Sequence, residues 1–132
     1  MKKYEEYRKQ LEANKELLRK WMMAGDTGNR EQYVALTHPE HTVVNAVDPD
    51  AKSVLDYEEH WNYLEEQKKA FSFMEHKPVE IYADGSCVMA KGQVTAENAN
   101  GRMEFPFAIF CTVKEGKILE TSSIASIPTP KK

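Results

Sequence analysis

Residues 17–46 read LLRKWMMAGDTGNREQYVALTHPEHTVVNA, and the order of patterns within this stretch decides the fold. Apolar residues step by three and four up to Met22, as one face of a helix requires, and the stepping breaks at Ala24-Gly25-Asp26. Gly25 is the expected stop, because glycine adopts the left-handed conformation of a helix C-terminus, and Asp26 or Thr27 is placed to cap the next element. A second short helix is predicted over 29–36, carrying Tyr33, Val34 and Leu36 and ending before Pro39. The Thr-Val-Val content of 42–47 then predicts a strand.

Upstream, Tyr4, Tyr7, Leu11, Leu17, Leu18, Trp21 and Met22 recur at helical spacing and predict one helix over 3–24. Residues 1–10 are its most polar part, an extension that passes the domain body or packs on a partner. Downstream, 48–53 is turn chemistry, and Asp56 opens a third helix to about residue 70 with Tyr57, Trp61, Leu64 and Lys68 along one face. Glu58, Glu59 and His60 read as an exposed face of that helix. From Phe71 the period changes to that of strands: 73–82, 87–97, 102–113 and 117–127 are separated by Asp84-Gly85, Asn100-Gly101 and Glu115-Gly116, all reverse-turn pairs. Helices followed by an antiparallel meander make an α+β fold with the helices on one face of the sheet. Residues 128–132 read as a frayed tail.

The chain of 132 residues is of single-domain length, so one domain over 1–132 is expected. A net charge of -3, with Lys and Arg scattered among acids, leaves no basic face, and nucleic acid is not an expected partner. No apolar run has signal-peptide or membrane-spanning form; no membrane association is expected and the expected location is cytoplasmic. Cys87 and Cys111 both lie in apolar strand patterns and are read as buried free thiols.

The Ala24-Gly25-Asp26 turn, the Thr42-Val43-Val44 strand, and the hairpins at Tyr82-Ala-Asp-Gly-Ser and Val113-Lys-Glu-Gly-Lys-Ile118 stand in one series. In that series the chain, over roughly 12–126, resembles the nuclear-transport-factor-2-like superfamily and its SnoaL-like and ketosteroid-isomerase-like members. The resemblance implies helices covering a strongly curved antiparallel sheet that forms a cone-shaped pocket. It also places the three catalytic groups of ketosteroid isomerases at Asn45, Leu18 and Ile109. None of these can serve: Asn45 cannot abstract a proton, and Leu18 and Ile109 offer no donor to an oxyanion. Asn45 can still orient a ligand carbonyl or bond nearby backbone.

The dehydratase and dehydrochlorinase relatives use a strand His oriented by an Asp at the end of the first helix. The resemblance carries those roles to His76 and Asp26, a general base and its orienting carboxylate; the alternatives are a helix cap for Asp26 and an edge position beside Pro78 for His76. His38-Pro-Glu-His41 puts two imidazoles close together, but Pro39 forbids a helix, so the segment reads as a solvated loop and no metal is expected. No cofactor is expected either. Along 102–113 apolar residues occupy both parities, which predicts a strand covered on both faces: helices and pocket on one side, a second copy of the chain on the other. The expected pocket is walled by Trp21, Tyr33, Trp61, Phe107 and Ile109, with Asn45, Thr121 and Ser123 as polar points. The chain therefore reads as a binding domain for a small, partly apolar ligand, without a required reaction. The alternative is an isomerase, dehydratase, cyclase or hydrolase using the His-Asp base. A titratable side chain turned into the cone is what would separate them.

Overall fold

The computed structural model describes residues 2–45 and 54–125, with the backbone alone for 45, 124 and 125. The predicted turn at 48–53, the strand ends at 47 and 126–127, and the tail at 128–132 lie outside the described residues. Helix α1 (Lys2–Thr27) buries Leu18, Trp21, Met22 and Ala24, the stripe that its periodicity marks. It runs past Gly25, which corrects the expected stop. Gly28, at φ +71°, takes the left-handed position instead, donating to Gly25 O at 3.3 Å while Asn29 N–H donates to Ala24 O at 3.0 Å. Those two bonds close the helix end as a Schellman motif. The Asn29 side chain accepts from Gln32 N and caps α2 (Arg30–Leu36), so Asp26 is not spent on capping.

Strand β1 (Thr37–Asn45) follows with no loop, then a short β2 (Val54–Asp56) that the sequence did not announce. Helix α3 (Tyr57–Ala70) opens with a capping box, Asp56 and Glu59 each satisfying the other's backbone N–H. The meander β3 (Phe73–Asp84), β4 (Cys87–Asn98), β5 (Gly101–Lys114) and β6 (Lys117–Ala125) matches the turn-marked segments. The six strands form one sheet in the order β2-β1-β6-β5-β4-β3. The expectation of an all-antiparallel sheet is corrected at one seam: β1 pairs parallel with β6. A parallel pair needs a long crossover, and here α3 and the whole meander provide it.

Two features decide which side chains face the helices. On β5, Phe105, Phe107, Ile109 and Cys111 are buried beneath the helices while Phe110 points out, the parity expected. On β3 the pairing slips between Pro78 and Glu80, so Val79 bulges out and the inward parity changes from Met74 and His76 to Ile81 and Ala83. Gly92 makes this possible, because a Cβ there would overlap the Lys77 carbonyl oxygen. The polar start of α1 is anchored on the β3–β4 turn: Tyr7 Oη donates to Asp84 Oδ1 at 2.9 Å, and Asn14 Nδ2 donates to Gly85 O at 3.2 Å. Both cysteines are free, but only Cys111 is buried; Cys87 opens β4 on the outer face, which corrects its expected burial. No described helix is long and apolar enough to cross a membrane.

Candidate functional site

Asp26, in the last turn of α1, and His76, on the inward side of β3, meet across 50 residues of chain. The carboxylate holds His76 twice: Oδ2 accepts the backbone N–H at 2.7 Å and Oδ1 lies 2.7 Å from Nδ1. A carboxylate can only accept, so Nδ1 carries a proton, and in the neutral ring the lone pair is then on Nε2. Phe107 packs edge-to-face on the imidazole, centroids 5.0 Å apart, and steadies the ring plane. The Asp26 side chain keeps 11% of its surface exposed and that of His76 30%, so the dyad lies at the rim of the core. Among the described residues Nε2 makes no hydrogen bond.

Deeper in, a second polar cluster sits among the aromatic side chains. Trp21 Nε1 donates to Thr37 Oγ1 at 2.9 Å, whose own hydroxyl donates to the Tyr33 carbonyl. Tyr33 Oη lies 2.8 Å from His60 Nδ1, and His41 Nε2 lies 2.9 Å from Thr121 Oγ1. Trp21 stacks on His60 at 5.5 Å and 11°, and meets His41 edge-on at the same distance. Burial lowers His41 to a pKa of about 4; burial and then the neighbouring His41 lower His60 to about 3. Both rings are neutral near pH 7. Burial raises the Tyr33 hydroxyl far above its ordinary value, so it keeps its proton.

These positions correct two readings. Residues 38–41 are not a solvated loop: they belong to β1, where Pro39 sits in the stretch over which the β1–β6 register shifts, and His38 and His41 are buried. His60 is not on an exposed face, because it shares the stripe of Tyr57, Trp61 and Leu64 at three- and four-residue steps. Among the described residues no group of three or more His, Cys, Asp or Glu gathers as a metal site.

Of the residues read as pocket walls, Trp21, Tyr33, Trp61, Phe107 and Ile109 are all members of the buried core cluster. Thr121 is buried against His41, and Ser123 pairs with both Ile109 and the backbone of Asn45. The side chain of Asn45 lies outside the described residues. Leu18 is buried within the same cluster. On the opposite face of the sheet, Val44, Tyr82, Met89, Phe110 and Ser122 line an open groove of about 460 Å³.

A family model described as a SnoaL-like domain matches residues 18–121. No curated protein matches the chain. Among solved structures, IdmH from Streptomyces antibioticus, a proposed polyketide cyclase, superposes with a TM-score of 0.76 at 16% identity, covering 85% of this chain and 91% of its own. An LEH-like epoxide hydrolase from M. tuberculosis gives 0.73 at 14% identity, over 89% and 85%. An NTF2-like protein of unknown function from Burkholderia pseudomallei gives 0.73 at 14%, over 86% and 91%. At such identities the likeness is one of fold.

Proposed function

This chain belongs to the SnoaL-like domain family, and from that premise we propose that it takes a small, partly apolar molecule between helices and sheet and removes a proton from it with His76. The observation that carries the reading is the paired hold of Asp26 on His76, which fixes one tautomer and leaves Nε2 as the base. It favours proton transfer over simple binding, the reading that the sequence alone leaned toward. Asp26 stabilises the imidazolium as the proton arrives, and Phe107 packed edge-on holds the ring in place. The same base serves an isomerase, dehydratase or cyclase taking a proton from carbon, or a hydrolase taking one from water. The cyclase and epoxide-hydrolase names among its structural neighbours span those two cases.

A probe that needs nothing but a base in an apolar site is 5-nitrobenzisoxazole, whose C–H loss opens the ring to a coloured phenolate. Turnover by the wild type that falls about a hundredfold in His76→Gln, and substantially in Asp26→Asn, supports the reading. Equal rates in wild type and His76→Gln would refute it.

We further propose that two copies pair through the outer sheet face, where Val44, Tyr82 and Phe110 leave apolar surface exposed around the groove. The two free thiols suit a reducing compartment, so the proposed location is the cytoplasm.

A further inference from the structure

The β5–β6 hairpin turns at Lys114-Glu115-Gly116-Lys117, beside the start of β1, where the β1–β6 register shifts. His38, Glu40, Lys114, Glu115 and Lys117 line an open concavity there of about 480 Å³. On β4, Cys87 is level with Thr112 close to this turn, while Val94 is level with His76. The seven residues from Cys87 to Val94, at about 3.3 Å each, put roughly 23 Å of strand between those levels. The concavity is therefore separate from the Asp26–His76 dyad.

Three donors lining it lack an acceptor among the described residues. The Glu40 backbone N–H donates to His38 Nδ1 at 3.0 Å, which leaves the ring proton on Nε2. That Nε2–H has Glu115 Oε1 near it at 3.7 Å, longer than a hydrogen bond. His38 is only 9% exposed, so the fold and not solvent sets the direction of its ring. The other two donors are the ammonium groups of Lys114 and Lys117, direct cross-strand partners that make no ion pair among the described residues. Like charges opposite each other on paired strands repel. Lys117 is also half-buried, where a cation without a counter-charge is costly. An anion held between the two ammonium groups relieves both penalties.

We propose that this concavity binds the phosphate group of a phosphate monoester, with Lys114 and Lys117 flanking the dianion and His38 Nε2–H donating to one of its oxygens. A lysine ammonium is a compact point charge that serves phosphate well, and two of them match a dianion better than the single charge of a carboxylate. Glu115 is the internal competitor. Its carboxylate stands at the approach to Nε2, and with 71% of its side chain exposed it can swing into solvent when a ligand arrives. Its backbone sits at φ +56°, as the two-residue turn with Gly116 at φ +73° requires, although a residue with a side chain is strained there. Glu40, exposed on the same lining, is the second acid, and its repulsion keeps the affinity modest.

The test titrates phenyl phosphate into the full-length, nitrogen-15-labelled protein at about pH 7.5, where the ester is a dianion, and follows the amide shifts. Saturable shifts are expected at Glu40 and at 115–117, with a Kd of about 1 mM or tighter. Lys114→Gln and Lys117→Gln should each weaken binding about fivefold or more, and Glu115→Gln should tighten it about threefold. Lys114 and Glu115 are exposed, so their variants keep the fold and the test does not depend on Lys117→Gln. Benzoate should bind about tenfold more weakly than phenyl phosphate, and His76→Gln should change phosphate binding less than about twofold. The proposal is overturned by an absence of saturable shifts at this turn, by lysine variants that bind as well as wild type, by weaker binding in Glu115→Gln, or by benzoate binding as tightly as the ester. Because the readout is binding at the far end of the sheet, failure of the proton-transfer reading of His76 leaves this result unaffected, and the reverse also holds.

Discussion

Acidification should destabilise this fold well before its carboxylates protonate, and two rings account for it. In the unfolded chain His41 and His60 titrate near 6.5; in the folded chain they resist protonation until about 4 and about 3, because burial penalises the charged ring. A histidine whose folded pKa is lowered contributes full stability above 6.5 and loses it as pH falls toward the folded value, since only the unfolded chain takes up the proton in that window. At about 1.4 kcal/mol per pH unit per proton, going from pH 6.5 to near pH 5 removes about 2 kcal/mol for each ring, about 4 kcal/mol together. With a urea dependence of about 2 kcal/mol per molar for a small domain, the unfolding midpoint should fall by about 2 M. Tyr33 keeps its proton throughout and contributes nothing in this range. Urea titrations at the two pH values, repeated on a His41→Gln/His60→Gln variant, check it. The variant should lose most of the pH dependence; an unchanged midpoint in the wild type, or an equal slope in both proteins, would refute the reasoning.

Gly92→Ala drives a Cβ into the Lys77 carbonyl oxygen, and thermal unfolding should show a loss of about 3 kcal/mol or more, against about 1 kcal/mol for Gly28→Ala, where φ is +71° and the nearest obstacle is the flexible end of Lys68. Phe110→Glu on the outer sheet face should shift a dimer seen by light scattering to the 15.2 kDa monomer without unfolding it; a wild type that is monomeric at micromolar concentration would contradict the pairing. Asn45→Asp should not produce turnover of a β,γ-unsaturated ketosteroid, because buried Leu18 and Ile109 still provide no oxyanion donor, each such donor being worth about 3 kcal/mol of barrier.

The meander was legible because Asp84-Gly85, Asn100-Gly101 and Glu115-Gly116 mark its turns, and Gly85, Gly101 and Gly116 all take positive φ there. Helix α3 was legible from Asp56 and Glu59, whose capping box is a sequence signature as well as a structure. The parallel β1–β6 seam was not legible, because it pairs segments some eighty residues apart and leaves no local pattern. Local rules also missed the end of α1: both Gly25 and Gly28 fit the stop, and only the hydrogen bonds from Gly28 and Asn29 choose between them. At the site, Asp26 and His76 were found through the family likeness; their sequence positions carry no shared spacing. The missed residues are His41 and His60. His60 lies in helical phase with Tyr57 and Trp61, but a polar side chain between two glutamates and a tryptophan reads as solvent-facing. His41 was hidden by Pro39, which rules out a helix but is tolerated where strand pairing is irregular.

For His76 to act as the base, Asp26 must hold it in one tautomer. Long-range nitrogen–proton correlation spectra of the imidazole, at a pH where the ring is neutral, read that tautomer directly. The predicted result is a protonated Nδ1 and a lone-pair Nε2 in the wild type, with the Nδ1 preference lost or weakened in Asp26→Asn. A wild-type His76 that carries its proton on Nε2, or averages the two forms as a free histidine does, would contradict it.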